Sequence, residues 1–425
     1  MNARLRAWIE DLGDQFWVRP AVVVLLCIGS ALLATWFDHL SAGTSDAAAS
    51  SWGYSGGGEG ARSLLGAVAS SSIGVAGTIF SITIAALSLA SGQMGPRLLR
   101  NFVRDARNQV ALGIFLGTFA YALMVLRTVR TADEGTFVPH VAVTGAMALA
   151  LVCLGTLVWF VHHIATSINV ETVVDLVHRD LTSAIDAMTQ ERAALLPPAD
   201  AVEGPGVAAS GGGYLQALDA DMLADWAADR GVELRMRVRP GGFVPTGTSV
   251  AVVSAAVDGV TEVLDRALTF GRRQAALQDL EYSIRQLNEI AVRALSPGIN
   301  DPFTAGSVLD HFSDALCRIA PRHLPRGAVE RNGRIVLVLD VVDYDGLCDG
   351  MFHTIRQNGS GSAYVLIRLL EVLGRVAEVE RFSDRRAALR RHADLAIAVA
   401  RDGMSDPAGL KDCEARYRSF VKATA

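Results

Sequence analysis

The sequence predicts a membrane α-helical protein: four transmembrane helices followed by a cytoplasmic α+β domain with a small β module and a helical layer. Three observations carry this expectation. Of 425 residues, 51% are hydrophobic and only 20% charged, with a mean hydropathy of +0.30, too apolar for an ordinary soluble chain. Four windows, about 17–37, 64–91, 109–129 and 141–165, each supply the roughly 20 apolar residues that the hydrocarbon core demands. Beyond them the long apolar runs give way to amphipathic and alternating patterns, which belong to a water-facing domain.

The first window is expected to stay in the membrane rather than act as a signal peptide. Glu10, Asp11 and Asp14 break up the basic region such a peptide needs, and Trp17 and Trp36 sit at its two ends like interface anchors. Residues 1–16 are then a cytoplasmic N-terminal segment and 17–168 the membrane domain. Basic residues set the orientation. The connection after span two carries Arg97, Arg100, Arg104 and Arg107, against Asp105 alone. The connection after span one is acidic and rich in Gly and Ser, with Arg62 its one basic residue. Positive charge favours the cytoplasmic side, so both termini are expected there.

Span two differs from the others in its small and hydroxyl residues. Ser70, Gly74, Thr78 (or Gly77), Ser81, Ala85 and Ser88 recur at alternating three- and four-residue spacing and form one stripe along a helix. Ile73, Val75, Ile79, Ile82, Ile84 and Leu87 occupy much of the remaining surface. Such a stripe can let a second helix approach closely. Repeated around an axis, it can instead line a narrow aqueous path whose hydroxyls replace part of a solute's hydration shell. Span two holds no charged residue, so an intramembrane charge ring is excluded there.

After span two, Gly95-Pro96 ends the helix, and Arg97, Arg100, Arg104 and Arg107 fall on one face of a short segment. They are expected either to meet lipid headgroups and fix topology or to form a basic collar at a cytoplasmic mouth. His162 and His163 close span four. As neighbours in a helix they point to different faces, which removes the i, i+4 geometry of a metal pair. The five cysteines, Cys27, Cys153, Cys317, Cys348 and Cys413, are odd in number and widely spaced. Neither a disulfide framework nor a zinc motif is expected, and no cofactor or metal is assigned.

Residues 169–196 read as an amphipathic helix leaving the membrane, able to run on from span four. Val170, Val173 or Val174, Val177, Leu181, Ile185 and Met188 form its apolar stripe. Pro197-Pro198 stops it, and "ADAVEGPGVAASGGG" reads as a linker or mobile loop. The cytoplasmic α+β domain then spans 211–425. It starts with a strand, a short helix capped by Asp219 or Asp221, and two strands around Gly-rich turns. In "VELRMRV", Val232, Leu234, Met236 and Val238 share one face. The module is possible as a small barrel, and "PGGFVPTGTSVAVV" looks like the turn of sandwich-barrel domains, without the lysine that would carry a prosthetic group. A helix follows, with Leu280, Ile284, Leu287, Ala291 and Leu295 as its core stripe and Glu281–Arg285 and Glu289–Arg293 as i, i+4 pairs. "GRIVLVLDVVDY" reads as the central strand, after a turn at Asn332-Gly333, and two or three helices finish the chain.

Between two of these helices lies "RALSPGINDPFTA", residues 293–305. Pro297-Gly298 stops the first helix. Asn300 or Asp301 caps the second, with Pro302 at its first position. The free N–H groups of that second helix, beside Arg293, make Arg293, Asn300 and Asp301 the candidate ligand or subunit contact; a plain helix corner is the simpler reading.

Several stretches together, "ARSLLGAVASSSIGVAGTIFSITIAALSLASGQMGPRLLRNFVRD", "GTFAYALMVLRTVR", "FVHHIATSI" and "IRQLNEIAVRALSPGINDPFTA", resemble the bacterial integral-membrane family catalogued as Domain of Unknown Function 2254. The resemblance covers nearly the whole chain. It implies four spans followed by a cytoplasmic domain, and it implies no activity. After "RPG" it leads us to expect an acidic residue, where this chain has Gly242, which argues against ion binding by that turn. The expected location is the bacterial inner (cytoplasmic) membrane.

For function, a homo-oligomeric channel or pore stands first. Span two would line the path and the cytoplasmic domain would assemble or gate it. The alternative is a membrane-anchored sensor or scaffold whose cytoplasmic domain binds a ligand or protein. An enzyme is not expected: the sequence has no G-x-S-x-G, P-loop, metal pair or Cys/His arrangement, and carboxylates such as Asp219, Asp279 and Asp301 are scattered. The expected partners are the lipid bilayer, further copies of the chain, and ions. A net charge of -5 gives no footprint for nucleic acid.

Overall fold

The computed structural model describes residues 16–41, 53–94, 105–130, 137–167, 169–191, 202–274 and 278–424. They fall into two compact units that divide between Asn169 and Val170.

The described residues of the N-terminal unit form four helices: α1 (Val18–Ser41), α2 (Gly58–Met94), α3 (Ala106–Leu126) and α4 (His140–Ser167). Each is long and apolar enough to cross a membrane. Helix α3 is the most buried and packs against the other three. Its contact with α1 is close because α3 carries Gly113 and Gly117 one turn apart. A Cβ at Gly113 would stand 3.0 Å from Pro20 Cα, and one at Gly117 would stand 2.6 Å from Cys27 Sγ. A third close approach brings the Tyr121 hydroxyl over Gly145 of α4, where it donates to Ala142 O at 3.0 Å.

Asp38, near the end of α1, reaches across to the start of α4. Its carboxylate accepts from Val141 N at 3.0 Å and from Ala142 N at 2.9 Å, so one helix caps another. Tyr54 N donates to Thr144 Oγ1 at 2.9 Å nearby. The Asp38 contacts satisfy first-turn N–H groups that have no partner within α4 itself.

The C-terminal unit combines two small sheets with a helical layer. It starts with α5 (Val170–Met188), then β1 (Gly206–Ala208), β2 (Gly213–Leu218), α6 (Ala220–Arg230), β3 (Leu234–Met236), β4 (Phe243–Val244), β5 (Ser249–Val253), α7 (Val260–Ala267) and β6 (Leu268–Gly271). It continues with α8 (Leu280–Ala294), α9 (Pro302–Ile319), β7 (Ala328–Arg331), β8 (Arg334–Val338), α10 (Tyr344–Asn358), α11 (Ala363–Val379), α12 (Ser383–Gly403) and α13 (Pro407–Thr424). One sheet has the order β1-β5-β3-β8-β7 and the other β4-β2-β6. Both are open among the described residues, which form no closed barrel. All pairs are antiparallel except β3 with β8, where Leu234 stands beside Leu337.

Alternation sets the inner face as expected: Val232, Leu234 and Met236 are buried beside Leu215, Val250, Leu264 and Leu337. Helix α8 buries Leu280, Ile284, Leu287 and Ala291 against α5, α9 and α10. Its stripe ends at Ala294, whereas Leu295 is only half-buried. Phe312 of α9 and Phe352 of α10 are fully buried and meet edge to face at 6.3 Å.

Four expectations change. The strand at "GRIVLVL" is not central: β3 holds the middle, and β8 lies between it and β7. The Asn332-Gly333 turn does join β7 to β8, with both residues at positive φ, 52° and 76°. Part of the presumed linker is an edge strand, β1, pairing Gly206 with Val252 and Val207 with Ala251. An edge strand needs backbone partners more than an apolar pattern. Four helices follow β8 rather than two or three, because α10 is studded with polar residues and Gly346 and Gly350. Helix α5 is separate from α4, which ends at Ser167, and its buried residues Val174, Val177, Leu181 and Ile185 pack within the C-terminal unit against α8 and α9.

Candidate functional site

The span-two stripe is the first place the sequence directs attention. Ser70, Gly74, Thr78, Ser81, Ala85 and Ser88 are all exposed on the single chain. The buried face of α2 is the other one, formed by Ala61, Leu65, Ala69, Ala76, Ile79 and Ala86. Among the described residues, apart from the backbone of α2 itself, no atom lies within 4 Å of a Cβ placed on Gly74 or Gly77. Among the described residues the stripe therefore serves no helix contact. Its hydroxyls are locally satisfied: Thr78 Oγ1 donates to Gly74 O at 3.1 Å, and Ser81 Oγ to Gly77 O at 2.9 Å.

The outward faces of the neighbouring helices are different. Helix α1 exposes Leu25, Leu26, Leu33 and Trp36, and α4 exposes Leu151, Leu154 and Val158, each more than 60% accessible. Those are side chains suited to lipid. The exposed side of α2 mixes its small and hydroxyl residues with Ile73, Phe80, Ile82 and Ile84, which are 40–49% accessible.

Of the arginine cluster, Arg97, Arg100 and Arg104 lie outside the described residues. Arg107 is exposed in the first turn of α3, and its backbone N–H donates to Asp105 Oδ1 at 2.9 Å. Asp105 thus caps α3, and its second oxygen meets His163 Nε2 at 2.6 Å. His163 stacks on Trp159 at 5.4 Å, while His162 faces outward. The adjacent histidines do point to different faces, and the inner one is held by an aspartate.

The corner at 293–305 resolves into backbone chemistry. Ser296 O accepts from Ile299 N and Asn300 N, at 3.0 and 2.8 Å, and Asp301 N donates to Ala294 O at 2.8 Å. Asn300 takes a left-handed conformation with φ 50°, which asparagine tolerates better than most residues. Asp301, not Asn300, is the cap. Its Oδ1 accepts from Phe303 N at 3.1 Å and Thr304 N at 3.2 Å, and its Oδ2 from the Thr304 hydroxyl at 2.6 Å. The Thr304 hydroxyl, with the two backbone N–H groups, holds the Asp301 carboxyl below the usual carboxylate range. Arg293 pairs with Glu289 at 3.8 Å. Asp301, Phe303 and Ser307 also border a recess of about 180 Å³ whose other wall is the first turn of α5.

A larger cavity of about 240 Å³ lies where the β module meets the helical layer of the C-terminal unit. Leu218, Val238, Leu280, Leu339 and Val342 give it apolar walls, and Arg239, Asp279 and Glu281 give it charge. Arg239 Nη2 meets Glu281 Oε2 at 2.8 Å, and Arg285 binds Asp279 while its Nη1 stands 3.6 Å from Glu281 Oε2. Burial pushes the Asp279 carboxyl up, against the pull of Arg285. Gly241 is required here: its φ is +89°, and a Cβ would collide with Asp279. Thus the "RPGG" turn, which carries no acid at Gly242, is seated against one from α8. Glu281–Arg285 was legible as a helical pair. Its extension to Arg239 was not, because only the fold brings β-module and helix residues together. Each of the three carboxylates has a local backbone role: Asp219, Asp279 and Asp301 cap α6, α8 and α9 respectively.

Comparison with known proteins places the chain. The family model described as "Predicted membrane protein (DUF2254)" matches residues 13–375. An uncharacterized protein of Mycobacterium tuberculosis (strain CDC 1551 / Oshkosh) is 32% identical over 421 residues, covering 96% of this chain and 80% of the relative. An uncharacterized protein of Mycobacterium bovis matches to the same extent. No solved structure matches. With four apolar helices of spanning length leading into an α+β domain, this chain belongs to the DUF2254 family of predicted membrane proteins.

Proposed function

We propose that the protein is a homo-oligomeric membrane pore in which α2 from several copies faces a common axis. One observation carries this reading: the small, hydroxyl-bearing face of α2 is exposed on the single chain, whereas α1 and α4 present large apolar side chains outward. Small residues permit close approach of neighbouring copies, and hydroxyls oriented to an axis can hydrate a passing ion. In this reading the protein sits in the bacterial inner membrane with both termini in the cytoplasm, and the arginines after α2 stand at the cytoplasmic mouth. Its partners are lipid, further copies of itself and ions, and it performs no enzymatic reaction.

Two measurements test it. Ser81→Cys should form disulfide-linked dimers in native membranes under mild oxidation, whereas Leu154→Cys on α4 should not. Purified protein in liposomes should carry an ionic current that Ser81→Leu or Ser88→Leu reduces. A silent bilayer together with unlinked Ser81→Cys would sink the proposal.

A membrane-anchored sensor is the second reading, favoured by the 240 Å³ cavity and its Arg239–Glu281 pair. Pockets of this kind, apolar with a few convergent charges, are the usual form of a small-molecule site. Closing the cavity with Ala220→Trp should abolish ligand response under this reading and leave a pore that needs no ligand unchanged.

A further inference from the structure

Outside the features considered so far, α10 and α12 bring together Asp349, His353 and His392. One ligand atom from each lies within 4.8 Å of the others. Asp349 and His353 are one turn apart on α10, and His392 projects from α12. His353 Nε2 stands 3.3 Å from Asp349 Oδ1, and His392 Nε2 stands 3.2 Å from the same oxygen. We propose that these three side chains form a binding site for a first-row divalent transition cation of the Zn²⁺ class.

The spacing supports this. Four-coordinate zinc with bonds of about 2.0–2.1 Å holds its donors about 3.3–3.4 Å apart, and two of the three edges already have that length. The third edge lies between His353 and His392, whose rings are 5.1 Å apart. His353 is 34% exposed and has room to turn toward the ion. His392 is fully buried, and its Nδ1 has no partner among the described residues, so its one polar engagement is at the Nε2 edge facing the cluster. Two imidazoles and one carboxylate suit zinc, cobalt or nickel better than calcium or magnesium. Partial exposure of Asp349 and His353 leaves a route for the ion and a water to complete the set.

The charged neighbours decide how the ion would enter. Arg391 Nη2 stands 2.5 Å from Asp349 Oδ1 and 3.4 Å from His392 Nε2. The guanidinium thus stands beside the same Asp349 and His392 atoms that would hold a cation. It has a second anchor: Asp345 Oδ1 lies 2.8 Å from Nη2 and 3.2 Å from Nε. Arg391 can therefore release Asp349 and remain paired. Arg356, buried on the same helix as Asp349, adds positive charge. The site is thus tuned to bind through directional donor bonds rather than through net negative charge, which again disfavours calcium and magnesium.

The test uses untagged full-length protein in detergent, stripped with chelator and titrated with Co²⁺. We expect one Co²⁺ per chain with the intense visible absorption of a four-coordinate complex, displaced by Zn²⁺. His353→Ala, at a partly exposed position, should weaken binding by more than the about tenfold to hundredfold that loss of an outer-shell partner costs. Its metal-free melting temperature should match that of the native protein, which separates ligation from folding. Arg391→Gln removes the competing cation and should bind Co²⁺ more tightly. The proposal is overturned by an unsaturable or six-coordinate spectrum, by unchanged affinity in His353→Ala, or by equal or weaker binding in Arg391→Gln.

Discussion

Replacing Asp301 with alanine gives a direct measure of what the 293–305 corner does. The substitution removes acceptors for Phe303 N, Thr304 N and the Thr304 hydroxyl at once. Loss of an N-cap costs about 1 kcal/mol, and loss of the hydroxyl contact to a half-exposed carboxylate adds about 1 kcal/mol. For a unit of this size, about 2 kcal/mol lowers the melting temperature by about 4–8 °C. Asp301→Asn keeps an oxygen for the two backbone donors and should lose less. The two variants also separate in pH. The native carboxyl is held below its ordinary value of 3.8, so its contribution is complete above that value and disappears as pH falls through the lower folded value. Asp301→Asn should flatten that acid limb of the stability profile. Thermal melts of the purified full chain, followed by circular dichroism across pH, provide the assay. A melting temperature unchanged in Asp301→Ala, or an unaltered acid limb in Asp301→Asn, would refute the capping account and return the corner to the role of a ligand or subunit contact.

Two further perturbations address the membrane unit. Gly117→Leu should destabilise it severely, since even a Cβ there stands 2.6 Å from Cys27 Sγ, whereas Gly74→Leu, at a position where a Cβ meets no neighbouring helix among the described residues, should leave the detergent-solubilised monomer's melting temperature within about 1–2 °C of native. Asp38→Ala strips the N–H groups of Val141 and Ala142 of their acceptor, and a buried unsatisfied donor costs about 1–3 kcal/mol; a lower melting temperature, rescued in part by Asp38→Asn, is the expected outcome.

Much of this protein was legible in the sequence because its signals are local. The apolar runs gave four spans, alternation gave the inner face of β3, and Asn332-Gly333 gave the β7–β8 turn. Caps were readable to within one residue: Asp219 and Asp301 are both caps, and the choice between Asn300 and Asp301 turned on which carboxylate or amide reached the N–H groups. The failures share a cause. β1 has no apolar pattern because an edge strand is recognised by its partner, and Arg239 joins Glu281 only after β-module and helix have packed. His353 and His392 are 39 residues apart in the sequence, too far for any spacing rule to couple them.

Spans two and three show where such reasoning stops even inside a membrane. Both carry glycines at helical spacing, and a periodic pattern says only that they share a face. The structure puts the two faces to opposite uses. In span three, Gly113 and Gly117 lie against α1, so their want of a side chain is consumed by a contact inside the chain. In span two, Gly74 and Gly77 meet no neighbouring helix among the described residues, and the hydroxyls beside them bond back to their own helix. Close helix packing, the simpler explanation offered for the span-two stripe, is seen within the chain at span three. Among the described residues nothing covers that face of span two, and lipid or another copy of the chain are the two occupants our proposal weighs. A lipid-facing helix gains nothing from small residues, since large apolar side chains fill the bilayer better, as α1 and α4 do. Another copy gains close approach. That asymmetry is the observation behind our proposal of assembly around α2, and the Ser81→Cys cross-link tests it directly.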